Sequence, residues 1–401
     1  MVQQNLQISQ RVNSLSPSAT LAMSQKSAEL KASGVDIINM SVGEPDFNTP
    51  DFIKKAAIDA IEQNFTRYSP VPGFLSLREA ISKKLKKENR VDFLPSQIVV
   101  GNGAKQELAN VILATINPGD EVIIPTPAWV SYVEMVKLAQ GKSVEIHAGV
   151  ESDFKITAEQ LEKAITPASR MLLLNSPCNP TGSIYSKEEL KKLADVLAAH
   201  PNIIIMADEI YEHINFTGEV YSIAEFEELK DRVVIINGVS KAYAMTGWRI
   251  GFMAGPLEIA KAVTKLQGQY TSGASSIAQK AAEAAYTGPQ DCVETMRRAF
   301  QRRRDLIVSL AREIPGWRIN IPQGAFYLFP EVTGCLGKRF GDKEINTSED
   351  YVMYLLEEAH VACVSGEAFC APGYIRLSYA TSDDNIREAM RRIKEATEKL
   401  K

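Results

Sequence analysis

Five short apolar runs, each separated from the next by a segment long enough to hold a helix, restrict this chain more than any other feature. They read "IVV" at 98–100, "EVIIP" from Glu121, "MLLL" from Met171, "IIIM" from Ile203 and "VVII" from Val233. Runs this short and this continuously apolar must be covered on both faces, as in the strands of a parallel sheet. Helical patterns supply the cover. "SKEE" at 186–189 is a capping box that places Leu190, Leu193 and Leu197 on one face behind it. "NTPD" at 48–51 offers a polar cap with Pro50 in the first turn, and Ile53, Ala57 and Ile61 then recur every fourth residue. The alternation predicts an α/β fold with a mainly parallel, buried sheet.

The 401 residues are 45% hydrophobic and 23% charged, enough apolar material for a large core spread over two or three domains. A net charge of −4 gives no bulk attraction to nucleic acid or to an anionic membrane. "MVQQNLQISQRVNS" lacks the apolar core of a signal peptide, and no run of about 20 apolar residues follows, so we expect no membrane association and a cytoplasmic location. Cys178, Cys292, Cys335, Cys363 and Cys370 are odd in number and form no C-x-x-C pair, which suits reduced thiols. His147, His200, His213 and His360 show no zinc spacing, so no metal is expected. Past Gly288 the texture changes to a charged amphipathic segment, "CVETMRRAFQRRRDLIVSLAREI", then to short strands and a final helix, "SDDNIREAMRRIKEATEKL". The basic residues 302–304 read as a solvated helix face.

The chemistry centres on "NGVSKAYAMTGWRIGF", where Lys241 follows the last apolar run directly. Open α/β sheets bind ligands at the carboxyl ends of their strands. A lysine amine partly desolvated there, near another cation, has a lowered pKa and attacks carbonyls. Asp208 closes the strand "NIIIMAD" at the same edge, as a helix cap or as the carboxylate partner that the ring nitrogen of pyridoxal phosphate needs. Arg249 offers a bidentate fork for a phosphate. "GNGAKQ" puts a glycine turn before a helix whose free N–H groups suit an anion. No G-x-G-x-x-G follows a first strand with an acidic residue about 20 positions on, which argues against a nicotinamide enzyme.

With "SPCNPTG", "ADEIYEH" and "SKAYAMTGWRIG" in that order, the chain resembles the class I, fold-type I pyridoxal phosphate aminotransferases, and within them the bacterial aspartate/prephenate subgroup. The resemblance implies a large domain with a mostly parallel seven-stranded sheet, a smaller α+β domain built from both chain ends, and a homodimer with shared active sites. It divides the chain into an N-terminal arm with part of the small domain (1–47), a large pyridoxal phosphate-binding domain (48–288), and a bridging helix with the small C-terminal domain (289–401).

The resemblance also implies roles. Lys241 is the lysine joined to the cofactor and the base that moves the substrate proton. Asp208 partners the ring nitrogen, Tyr211 and Asn179 hydrogen-bond the phenolic oxygen, and Trp129 stacks on the ring. Arg249, with the backbone of Gly103 and Ala104, holds the phosphate, and Tyr68 reaches the phosphate of the neighbouring subunit. Where the family often has a phosphate-binding serine, this chain has Gly238, so Ser240 or a water takes that contact. Arg376, Gly43 and Asn179 form the α-carboxylate subsite. Lys105 opposes the dipole of the helix it starts, a position that suits an anionic ligand. In the subgroup this lysine and the threonine of "PSAT", here Thr20, recognise a second carboxylate; Thr20 reads equally as a helix-start residue behind Ser18. The implied substrates are amino acids and 2-oxo acids, with aspartate and 2-oxoglutarate first. Prephenate, giving arogenate, or both activities together, is the alternative.

Overall fold

The computed structural model describes residues 7–401. Each of the five apolar runs falls in a strand of one seven-stranded sheet. Its strands are β1 (Ile98–Gly101), β2 (Glu121–Thr126), β3 (Lys142–His147), β4 (Ser169–Asn175), β5 (Ile204–Asp208), β6 (Val233–Gly238) and β7 (Gly251–Ala254), in the order β1-β7-β6-β5-β4-β2-β3. Strand β7 runs antiparallel to both neighbours and the other pairings are parallel. The continuous hydrophobicity of the runs has the expected cause. Val233 and Ile235 of β6 enter one core and Val234 and Ile236 the other, and Leu172 and Leu174 of β4 are likewise separated from Met171 and Leu173. Each such side chain contributes about 1.5–3 kcal/mol relative to exposure. Strand β3, at the sheet edge and largely uncovered, carries no such run.

The helices that bear on the site are α1 (Ala19–Ala32), α2 (Asp51–Glu62), α3 (Ala104–Thr115), α4 (Ser131–Leu138) and α5 (Lys187–Ala198). The capping box of α5 forms as expected: Ser186 Oγ accepts from the Glu189 N–H at 3.2 Å, and Glu189 Oε2 accepts from the Ser186 N–H at 2.7 Å. Helix α2 differs from its expectation. It begins at Asp51, with Pro50 in extended backbone at the cap position and no side-chain cap, and Ile61 is exposed while Ile53 and Ala57 are buried. Proline fixes only φ, so the same residue closes the preceding extended segment as readily as it opens a helix.

Beyond the large sheet, α6 (Asp291–Ala311) leads to β8 (Tyr327–Leu328), β9 (Val364–Ser365), β10 (Ile375–Ser378) and the final helix α7 (Asp383–Glu398). The three strands form an antiparallel sheet in the order β9-β10-β8. Phe300 and Ile307 of α6 and Ile386, Met390 and Ile393 of α7 share one core with Tyr327 and Leu377. Ile38 and Asn39 pair in parallel with Val361 and Ala362, which joins the N-terminal part of the chain to this sheet region. The basic cluster is only in part the solvated face that its charge suggests: Arg302 is exposed, but Arg303 is buried. Arg303 is 7% exposed, donates to both oxygens of Asp46 at 2.7 and 2.9 Å, and lies 5.3 and 5.7 Å from the ring centroids of Phe47 and Phe300. It shares the buried face of α6 with Phe300, three residues earlier, and Asp46 neutralises it there.

Candidate active site

The carboxyl ends of β4, β5 and β6 open into a cavity of about 320 Å³ closed by the start of α3, by residues 18–21 and by Arg376 of β10. Asp208, the last residue of β5, is 4% exposed. Its Oδ2 accepts from the Tyr132 hydroxyl at 2.6 Å and its Oδ1 from the Ile210 N–H at 3.2 Å. Burial nonetheless raises its pKa to about 6, outweighing these hydrogen bonds and the Lys241 cation. Lys241 stands across the cavity in the loop after β6, with Nζ donating to the Gly43 carbonyl at 2.5 Å and lying 5.7 Å from the Tyr211 ring centroid. Burial lowers the amine to about 8; Glu44 opposes that shift, and the cations of Arg376 and Arg249 add to it. A nucleophilic amine and a desolvated carboxylate therefore flank the same space.

Next to them is an anion cradle. Gly103 caps α3 with φ +88°, and a Cβ there would run into the Arg249 guanidinium. Arg249 Nη1 and Nη2 donate to the carbonyls of Thr246 and Asn102 at 2.9 and 3.1 Å, which holds the fork at the helix start. The N–H groups of Ala104 and Lys105 donate to no described residue. Gly238 has no room for a side chain, because a Cβ would meet Gly251 Cα at 2.8 Å and the Ile250 carbonyl at 2.9 Å. The departure from the family's serine thus follows from the tight β6–β7 pairing. Ser240 is the nearby hydroxyl that does line the cavity.

At the far wall Arg376 is 1% exposed. It donates to Asn179 Oδ1 at 3.0 Å and to the Ser41 carbonyl at 2.6 Å, and its Cζ lies 4.6 and 4.8 Å from the ring centroids of Tyr327 and Phe369. Its Nε has no partner, and burial lowers its pKa. Both its hydrogen bonds go to neutral oxygens, and no carboxylate among the described residues pairs with it. Trp129 packs edge-on against Tyr132 at 5.4 Å, and Lys105 Nζ lies 5.1 Å above the Trp129 ring. Desolvation and then Arg249 lower the Lys105 pKa. Thr20 Oγ1 is buried without a partner on the same cavity.

Lys241, Asp208, Tyr211, Asn179, Trp129, Arg249, Ala104, Gly43, Arg376, Lys105 and Thr20 all line this one cavity. Gly103 lies immediately behind its wall, under Arg249. Tyr68 is elsewhere: it is 99% exposed and borders a separate surface pocket with Ser275 and Ile277. Two residues escaped the sequence reading. Tyr132 sits one helical turn beyond Trp129, a spacing that could have revealed it, whereas nothing local marks Tyr327, which holds the Tyr211 hydroxyl at 2.8 Å. The set fits pyridoxal phosphate: a buried carboxylate for the ring nitrogen, an amine, a glycine-lined helix start with an arginine for the phosphate, and an orphaned guanidinium for a substrate carboxylate.

Comparison with known proteins agrees. The sequence pattern of the family described as aminotransferase class I and II matches residues 35–393. The chain is 49% identical over 392 residues to the aspartate/prephenate aminotransferase of Nitrosomonas europaea, which covers 97% of this chain and 99% of that one. Its fold matches the aspartate aminotransferase of Rhizobium meliloti with a TM-score of 0.95 at 44% identity, over 99% of this chain and 100% of that one. The aspartate aminotransferase of Thermus thermophilus, solved with maleate, gives 0.92 at 40% identity over 98% and 100%. A cavity built around an amine, a desolvated carboxylate and an anion cradle, on a chain matched over nearly its whole length, makes this protein an aminotransferase, a member of the pyridoxal phosphate-dependent class I and II family.

Proposed function

We propose that the enzyme is an aspartate aminotransferase that moves the amino group of L-aspartate to 2-oxoglutarate by a ping-pong sequence, oxaloacetate leaving before 2-oxoglutarate enters. The observation that carries this reading is the pair of anion-binding ends on one cavity, Arg376 with its orphaned Nε, and Lys105 together with the orphaned Thr20 hydroxyl elsewhere on its lining. A dicarboxylate satisfies both ends, and a neutral amino acid leaves one empty.

When bound, pyridoxal phosphate supplies the sink for electrons released at the substrate α-carbon. Asp208 would hold a proton at the ring nitrogen, and the Tyr132 hydroxyl, donating to Asp208 Oδ2 at 2.6 Å, fixes the carboxylate for that task. Tyr211 and Asn179 would hydrogen-bond the phenolic oxygen, Trp129 would cover the ring, and Arg249, Ser240 and the free N–H groups of Ala104 and Lys105 would hold the phosphate; the Gly103 N–H, expected to share that contact, is given instead to the Gly101 carbonyl at 2.8 Å. Arg376, Gly43 and Asn179 orient the substrate α-carboxylate. Lys241, whose amine is lowered to about 8, would take the proton from the substrate α-carbon, which suits a base working near neutral pH.

Prephenate as amino acceptor, with glutamate or aspartate as donor and arogenate as product, is the second reading, favoured by the name of the Nitrosomonas relative. Prephenate also carries two carboxylates, so one site serves a bifunctional enzyme. The proposal includes a homodimer, supported by the full exposure of Tyr68 away from its own cavity. It includes domain limits at 47/48 and 288/289, supported by the core that the small sheet shares with α6 and α7, into which Ile210, Tyr211 and Ile214 of the large domain also pack. It also includes a cytoplasmic location, in which the five free thiols stay reduced. No described helix is long and apolar enough to cross a membrane. The test is product formation by the purified protein from aspartate, from a neutral amino acid and from prephenate with each donor. Oxaloacetate from aspartate in clear excess over the neutral amino acid's oxo acid is expected, and equal rates would overturn the dicarboxylate assignment.

A further inference from the structure

Tyr327 has none of the roles above, yet it touches three of the groups that do. It is fully buried on β8, and its neighbour across the sheet is Ser378, two residues beyond Arg376. The Arg376 guanidinium lies 4.6 Å from its ring centroid, and its hydroxyl is 2.8 Å from that of Tyr211. A Cβ on Gly43, whose carbonyl accepts from Lys241, would strike the same hydroxyl. Tyr327 therefore bridges the carboxylate-binding end of the cavity, on the small sheet, to the turn after β5.

Two hydroxyls at 2.8 Å share one hydrogen, and either oxygen can supply it. When Tyr327 donates, Tyr211 keeps its own hydrogen for the cavity; when Tyr211 donates, it offers the cavity only lone pairs. A guanidinium against the Tyr327 ring makes that phenol the stronger donor, and a carboxylate that neutralises Arg376 removes the bias. The charged groups facing the pair are Arg376 from β10, Lys241 from the loop after β6 and Asp208 at the end of β5, while Glu44 and Arg249 act on Lys241.

We propose that Tyr327 is a positioning residue that relays occupation of Arg376 to Tyr211 through the direction of their shared hydrogen, so that binding a substrate carboxylate resets what Tyr211 offers the cofactor. This rests on the proposed placement of the cofactor beside Lys241 and Tyr211.

The test uses the cofactor-loaded protein and a non-reacting dicarboxylate, maleate. The pH midpoint of the near-ultraviolet to violet band is measured with and without maleate in the wild type and in Tyr327→Phe, which keeps the ring against Arg376 and removes only the hydroxyl. In the wild type, maleate is expected to move the midpoint by about one pH unit, and by reciprocity the maleate Kd then changes about tenfold across the titration. In Tyr327→Phe both effects should fall below half. A shift that stays above half would overturn the inference, because the Arg376–Asn179 hydrogen bond, untouched in the variant, would then carry the coupling alone. In a Tyr211→Phe background, adding Tyr327→Phe should change nothing further, and an additional loss would contradict the route through Tyr211. Absence of the band in the wild type would overturn the cofactor placement itself, an outcome separate from a retained shift.

Discussion

The two ends of the cavity are built on opposite plans. At the sheet edge the polar groups hold one another: Asp208 has Tyr132 and the Ile210 N–H, Lys241 has the Gly43 carbonyl, and Tyr211 has Tyr327. At the distal end Lys105 has only an aromatic face and the Thr20 hydroxyl has nothing. Groups that satisfy each other hold their side chains in place while a proton or the Lys241 amine changes partner, which is what chemistry at a fixed atom requires. Groups left unsatisfied await a ligand that completes them, and they select among ligands by what they lose when it is wrong. Catalysis should therefore live at the first end and specificity at the second.

Substitutions separate the ends. Lys241→Ala should lower kcat by about ten-thousand-fold or more, since it removes the amine and the base together; single-turnover assays with aspartate check it, and a near-wild-type rate would break the comparison at its stronger end. Arg376→Lys keeps the charge and loses the fork, and should cost about 3 kcal/mol, roughly a hundredfold in kcat/KM, for every amino acid alike because each carries an α-carboxylate. Lys105→Ala should raise the KM for aspartate about ten- to a hundredfold and leave that for a neutral amino acid nearly unchanged. Equal effects on the two substrates would merge the two ends into one. Thr20→Val should be the mildest, about 1 kcal/mol or roughly fivefold in the aspartate KM.

pH probes the first end without a substitution. The Lys241 amine is lowered to about 8, so its neutral, reactive fraction grows as pH rises toward that value and then levels. Capture of added pyridoxal phosphate by the cofactor-free protein, followed by stopped-flow absorbance, should quicken by about tenfold per pH unit up to about pH 8. A rate still climbing steeply at pH 10 would mean an ordinary exposed lysine.

The sequence showed most of the first end and only part of what supports it. Strands β1, β2, β4, β5 and β6 were legible because burial on both faces writes an unbroken apolar run, and Asp208 and Lys241 were legible because each closes or follows such a run. Tyr132 and Tyr327 were not: their partners lie 76 and 116 residues away, and a buried tyrosine satisfied by a distant group looks like any core aromatic. Arg303 misled for the same reason, since Asp46, 257 residues away, is what permits its burial. Gly238 was visible as a departure, but its cause, the close approach of Gly251, belongs to strand pairing and not to local sequence.

The most direct test of the account is the absorption spectrum of the wild type and of Lys241→Ala, each supplied with pyridoxal phosphate and then with aspartate or a neutral amino acid. The wild type should show a near-ultraviolet to violet band that aspartate bleaches at far lower concentration than the neutral amino acid, and the variant should show no such protein-linked band. A variant that acquires the band and responds to aspartate as the wild type does would contradict the role given to Lys241, and with it the division of the cavity into a catalytic and a selective end.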